Sequence, residues 1–177
     1  DESFVDFSVG FKNNSFLDNS ILEKYPHMCV MKSISKSYGV PGLRLGILCS
    51  ADKELISNMK KQVSIWNINS FAEFFLQILG KYEKSYQEAM NTFRRERARM
   101  MAALAEVSYL RVLPSEANYV LCEVLHPHTP RELAVQLLKK HSILIKDCTS
   151  KCHAPYIRLA IRNTKENNLL IQALKTL

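Results

Sequence analysis

Ser33-Ile34-Ser35-Lys36-Ser37-Tyr38-Gly39-Val40-Pro41-Gly42-Leu43-Arg44 is the stretch that decides how this chain is read. Before it, Met28-Cys29-Val30-Met31 is a short apolar run bounded by Pro26-His27 and Lys32-Ser33, which suits a buried strand. After it, Leu43 to Leu48 is again apolar and strand-like, interrupted by Arg44. Between the two strands lie a lysine flanked by hydroxyls and two glycines, Gly39 and Gly42, that let the backbone turn and approach a ligand closely. Arg44 returns a planar guanidinium to the same region. Hydroxyls, loop N–H groups and a guanidinium fork suit a phosphate monoester. A lysine beside such an anion site can form a Schiff base with an aldehyde. An aldehyde that also carries a phosphate is pyridoxal phosphate.

Outward from this stretch the pattern divides the chain. Residues 1–25 are irregular, with Asn13-Asn14 and Asp18-Asn19-Ser20 as turn chemistry. Asp52 is placed to cap a short helix through Lys60. Phe71, Phe74, Phe75 and Ile78 fall at i, i+3, i+4 and i+7, one apolar helix face that Gly80 is expected to stop. Residues 81–106 read as a long charged helix. Asn118 to Val124 reads as a strand, and Thr129-Pro130-Arg131-Glu132 as a capping box opening a helix to about Lys140. Ile143-Leu144-Ile145 is expected to be a strand. Tyr156 to Arg162 alternates, with Ile157, Leu159 and Ile161 on one side and Tyr156, Arg158, Ala160 and Arg162 on the other. Thr164 is expected to cap a last helix. The fold expected is α/β: a partial α/β domain over 1–80, a connecting helix over 81–109, and a small α+β domain over 110–177.

Composition narrows the function classes. Hydrophobic residues make up 47% and charged residues 23% of 177 residues, an ordinary globular balance rather than a disordered one. No apolar run reaches the roughly 18 residues of a spanning helix, so no membrane partner is expected. The net charge of +7 is compatible with a nucleic acid, an acidic surface or a small anionic ligand. Its densest cluster, Arg94-Arg95-Glu96-Arg97-Ala98-Arg99, has no interleaved stacking aromatics, so it reads as a solvated helix face and not a nucleic-acid site. Cys148 and Cys152 are separated by three residues with no ordered second pair, so no metal site is expected. The five cysteines read as reduced thiols of a cytoplasmic protein. Trp66, with Asn67 and Asn69, precedes a helix and reads as a core or interface anchor.

The segment Ser33 to Gly46, Ser-x-Ser-Lys followed by Gly-Leu-Arg-x-Gly, resembles the cofactor-lysine motif of fold-type I pyridoxal-phosphate aminotransferases. The nearest resemblance is to the histidinol-phosphate aminotransferase group and the similar threonine-phosphate decarboxylases. Asp1-Glu2-Ser3-Phe4, Ser115-Glu116-Ala117-Asn118-Tyr119 and Tyr156 to Arg162 resemble further segments of that family in order and spacing. The fold so implied is the C-terminal part of the large domain plus the small C-terminal domain. The resemblance implies that Lys36 holds pyridoxal 5'-phosphate as a Schiff base and then shuttles the substrate proton. It implies that Asp1 pairs with the pyridine nitrogen, and that Ser33, Ser35 and Arg44 bind the cofactor phosphate. It gives Arg158 the substrate carboxylate and lets Asn118 shape the substrate site.

The activity implied is amino-group transfer between an amino acid or amino-alcohol phosphate and a 2-oxo acid, in a homodimer with shared active sites. Phe4 departs from the family, which usually has Tyr there. That departure leaves room for decarboxylation of a phosphorylated amino acid. The chain opens with Asp1 and resembles the C-terminal half of such an enzyme, so the 177 residues alone are expected to be inactive. A reading from another class, a non-catalytic basic interaction domain, has no need of the lysine motif.

Overall fold

The computed structural model describes residues 1–10 and 14–177, so the expected Asn13-Asn14 turn falls partly outside the described residues. The chain divides into two units, Asp1–Asn91 and Thr92–Leu177.

In the first unit, a 3-10 turn Val5–Phe7 and helix α1 (Asn19–Lys24) precede strand β1 (Val30–Ser33). One helical turn, α2 (Ile34–Ser37), and a 3-10 turn Pro41–Leu43 lead into β2 (Gly46–Cys49). Helices α3 (Lys53–Gln62) and α4 (Ser70–Ile78) follow, then a 3-10 turn Leu79–Tyr82 and the start of the long α5 (Glu83–Ala105). β1 and β2 pair antiparallel, Val30 opposite Cys49 and Ser33 opposite Gly46. The reason is the connection. Residues 34–45 are used in two tight turns that bring the chain back beside its start, whereas parallel neighbours need a full crossover.

Asp52 caps α3 as its sequence implies, its carboxylate accepting the Leu55 N–H (2.8 Å). α4 ends at Ile78, two residues before Gly80, but Gly80 does not make the left-handed exit its position suggests. It lies within the 3-10 turn that runs on into α5, because a glycine permits a left-handed exit but does not impose one. The N-terminal residues lie along β1: the Glu2 N–H donates to the Met31 carbonyl (2.7 Å) and the Ser33 N–H to the Ser3 hydroxyl (3.1 Å). Asp6, buried, pairs with Lys32 at 2.5 Å.

The apolar face of α4 does not close over a core. Phe71 and Phe74 are 79% and 60% exposed, and Ile65 and Trp66 before them are 93% and 91% exposed. Trp66 is therefore not a core residue of its unit. Its fluorescence is expected at the red, water-exposed end of the tryptophan range and open to iodide quenching. A blue-shifted, protected emission from the 177-residue chain would contradict this placement.

The second unit holds the remainder of α5, then β3 (Leu110–Val112), β4 (Tyr119–Val124), α6 (Pro130–His141), β5 (Lys146–Asp147), α7 (Thr149–Cys152), β6 (Tyr156–Ala160) and α8 (Thr164–Lys175). The antiparallel sheet runs β3-β4-β6-β5. Val120, Cys122 and Val124 of β4 and Ile157 and Leu159 of β6 alternate into one core with Met100 and Leu104 of α5, Leu133 and Leu137 of α6, and Leu170 and Leu174 of α8. Each wholly buried aliphatic side chain contributes about 1.5–3 kcal/mol. Burial pushes the Cys122 thiol up to about 12, so it behaves as a small apolar group.

Three boundaries differ from the sequence expectation. Ile143 is not in a strand, because its N–H closes the end of α6 on the Leu137 carbonyl (3.1 Å) after Ser142 takes a left-handed conformation. Asn163 rather than Thr164 caps α8, its side chain accepting the Glu166 N–H (2.9 Å). The Arg162 N–H leaves the ladder for the buried Asn167 side chain (2.9 Å), which ends β6 at Ala160. Nor is the arginine cluster of α5 a uniform solvated face. Arg97 is 4% exposed and donates to the Ala117 carbonyl (3.2 Å), and Arg99 forks onto Glu96. Among the described residues no helix is long and apolar enough to cross a membrane.

Candidate active site

The loop between β1 and β2 is held by its own serine. The Ser35 hydroxyl is buried; it accepts the Leu45 N–H (3.1 Å) and donates to the Leu45 carbonyl (3.3 Å). The Ile34 N–H also donates to the Leu45 carbonyl (3.2 Å). Gly39 takes φ +66, a conformation glycine adopts without steric cost. Arg44 takes φ 57 and ψ 43, left-handed for a residue with a Cβ, and such positions concentrate at functional sites. Its Nη1 donates to the Pro41 carbonyl (3.1 Å), and the Asn69 amide donates to the Leu43 carbonyl just before it (3.0 Å).

Asp1, Ser3, Ser33 and Arg44 line one open groove of about 480 Å³ together with Met31, Leu45 and Ile47, and Lys36 is not in its lining. The Asp1 carboxylate accepts the Ser3 N–H (2.8 Å). Of the predicted phosphate-binding set, the structure brings Ser33 and Arg44 to this groove; Ser35 is used within the loop. Lys36 stands on α2, exposed, with its Nζ 4.3 Å from the centroid of the Phe4 ring, a cation–π contact. Among the described residues no carboxylate pairs with that ammonium. Directly after α2, Tyr38 stacks on Tyr86 at 4.1 Å and 10° between planes. Burial raises both phenols, with the Asp6 charge adding to it, so both are neutral hydroxyls at physiological pH.

In the second unit, Arg158 lies on the β6 face opposite the core, its guanidinium 5.2 Å from the Tyr119 ring. Lys146 of β5 is its direct cross-strand neighbour, a residue that sequence reasoning missed because register is invisible before the strands are paired. Arg131, Lys146, Asp147 and Arg158 line a groove of about 570 Å³. Asn118 is not in its lining; its carbonyl accepts the Ile161 N–H (3.1 Å) and joins the ends of β4 and β6.

A guanidinium, a hydroxyl and a carboxylate on one groove, beside a turn carrying an amine, fit a phosphorylated pyridine aldehyde. The donors suit its phosphate and the carboxylate suits its ring nitrogen. The chain belongs to the family of class I and II aminotransferases, whose sequence profile matches residues 1–174. It has the fold of the pyridoxal-phosphate-dependent transferases, and its family works with that cofactor.

Among individual proteins, it is 34% identical to the CMP-5'-(3-aminopropyl)phosphonate synthase of Streptomyces rubellomurinus, over 98% of this chain and 28% of that one. It is 32% identical to the threonine-phosphate decarboxylase of Salmonella typhimurium, over 99% of this chain and 47% of that one. The crystal structure of the histidinol-phosphate aminotransferase from Clostridium acetobutylicum superposes with a TM-score of 0.90 at 28% identity, over 99% of this chain and 52% of that one. The chain thus spans about half, or less, of the length of the relatives it matches.

Proposed function

We propose that this chain is the lysine-bearing part of a pyridoxal-phosphate-dependent enzyme acting on a phosphorylated amino acid. The observation that carries the reading is the shared groove of Asp1, Ser33 and Arg44, with Ser33 immediately preceding the helical turn that bears Lys36. Arg44 and the Ser33 hydroxyl would hold the cofactor phosphate, and Asp1 would pair with the protonated ring nitrogen. The bound cofactor supplies an electron sink for the bond broken at the substrate Cα. Lys36 would bind the aldehyde carbon and, once released, carry the proton to or from the substrate. Its ammonium would then rest on the Phe4 ring, which directs it without exchanging a proton.

Arg158 and Lys146 would take an anionic group of the substrate. Like charges directly opposite in a sheet are destabilising, and a bound phosphate dianion would neutralise both where a carboxylate would satisfy Arg158 alone. Amino-group transfer to a 2-oxo acid, in a cytoplasmic homodimer, is the first reading. Decarboxylation is the second, and a specific observation favours it: Phe4 offers no hydroxyl beside Lys36, and a relative of 32% identity is named for decarboxylating a phosphorylated amino acid.

The test is product analysis with the whole enzyme on O-phosphoserine and O-phosphothreonine, with and without a 2-oxo acid. Carbon dioxide released without any oxo acid establishes decarboxylation, and an amino acid formed in step with oxo acid consumed establishes transfer. Neither product from any phosphorylated amino acid, with no pyridoxyl group fixed on Lys36 by borohydride, would sink the proposal.

A further inference from the structure

We infer that Asn69 is a positioning residue for Arg44, fixing the backbone conformation from which the guanidinium reaches the groove. The inference rests on the reading of Arg44 as the phosphate-binding cation. Arg44 occupies left-handed backbone space, which is unfavourable for a residue with a Cβ, so something on either side must hold it there. On the C-terminal side the clamp is the Ser35 hydroxyl, bonded to both the N–H and the carbonyl of Leu45. On the N-terminal side it is the Asn69 Nδ2, 3.0 Å from the Leu43 carbonyl. That carbonyl belongs to the peptide plane that sets the φ of Arg44.

The Asn69 amide cannot swing away freely. Its Oδ1 accepts the Ala72 N–H (3.0 Å) and so caps α4. Any polar cap residue would serve the helix: Asp, Ser and Thr all accept an N–H there. An Asp cap has no proton to donate, whereas the amide accepts from Ala72 through Oδ1 and donates to the Leu43 carbonyl through Nδ2. The choice of Asn at this cap is explained by the second bond, to the loop 26 residues upstream.

The experiment measures binding of inorganic phosphate to the 177-residue chain by titration calorimetry, together with its unfolding temperature. Asn69→Asp keeps the cap and removes the donor. Asn69→Gly, a tolerated cap residue, removes the donor without adding a charge that would itself repel phosphate. Both are expected to unfold near the wild-type temperature and to bind phosphate about 3- to 10-fold more weakly, the range for one lost hydrogen bond. Arg44→Ala is expected to lose at least as much. Asn69→Gly added to Arg44→Ala is expected to cost nothing further, since a residue acting through Arg44 has nothing left to act on.

Wild-type affinity in Asn69→Gly, or a loss that simply adds to that of Arg44→Ala, overturns the role of Asn69 and leaves the phosphate reading in place. No phosphate binding by the wild-type chain, or wild-type affinity in Arg44→Ala, takes down both.

Discussion

Replacing Lys36 by Ala is expected to leave a folded protein that carries no borohydride-fixed pyridoxyl group. Its turnover in the whole enzyme is expected to fall by about 10⁴-fold or more, since the proposed role gives one side chain both the covalent attachment and the proton transfer. Structure and function separate cleanly at this position. Lys36 is exposed, stands on a single helical turn and forms no ion pair among the described residues. Truncation should shift stability by no more than about 0.5 kcal/mol, as for surface substitutions in general. Lys32 is the internal control. It lies four residues away and lines the groove, but its ammonium is held by Asp6. Peptide mapping of the reduced protein decides the matter: a pyridoxyl group persisting in Lys36→Ala at Lys32 or any other lysine would remove Lys36 from its assigned role.

Glu96→Ala is expected to destabilise the second unit by about 2–4 kcal/mol, the range for breaking a buried, charged hydrogen-bond network. Glu96 is 9% exposed, and its carboxylate accepts from Arg99 (2.9 and 2.6 Å), Asn167 (2.8 Å) and Thr164 (2.9 Å). It ties α5 to α8. Those bonds, the Arg99 one foremost, hold its carboxyl at about 2 against an ordinary value of 4.5. A carboxyl depressed in the folded state stabilises above its unfolded value and loses that contribution as the pH falls through the folded one. The wild-type advantage over Glu96→Ala should therefore be full at neutral pH and shrink from about pH 5 down to about pH 2. Hydrogen exchange of the β4 and β6 amides at pH 7 and under acid measures it. A gap that does not change with pH would show that the carboxylate charge is not what holds the network.

Local chemistry was readable from the sequence wherever the interaction partner is also local. The caps at Asp52 and Thr129 and the alternation of Ile157 and Leu159 all involve neighbours within four residues, and each forms as expected. The lysine turn was legible because hydroxyl, glycine and arginine recur at fixed spacing within one loop. What escaped was decided by distant partners. Ser35 reads as a candidate phosphate ligand, and the bonds its hydroxyl makes to Leu45 cannot be read from the sequence. Lys146 looks like any surface lysine until β5 lies beside β6 and puts it opposite Arg158. Thr164 has the chemistry of a cap, but Glu96, 68 residues upstream, takes its hydroxyl. The periodicity of Phe71 and Phe74 correctly gave a helix with an oily stripe, yet periodicity cannot say whether anything covers that stripe.

The bare stripe has a practical side. Ile65, Trp66, Phe71 and Phe74 offer a ready landing place for amphiphilic probes such as anilinonaphthalene sulfonate while the backbone is fully native. Dye uptake, usually taken as the mark of a loosened interior, would be bright at the start of a melting run and uninformative at its end. Adsorption to plastic and to hydrophobic resins should follow the same aromatic cluster, and exchanging Phe71 and Phe74 for polar residues is expected to remove all three behaviours together.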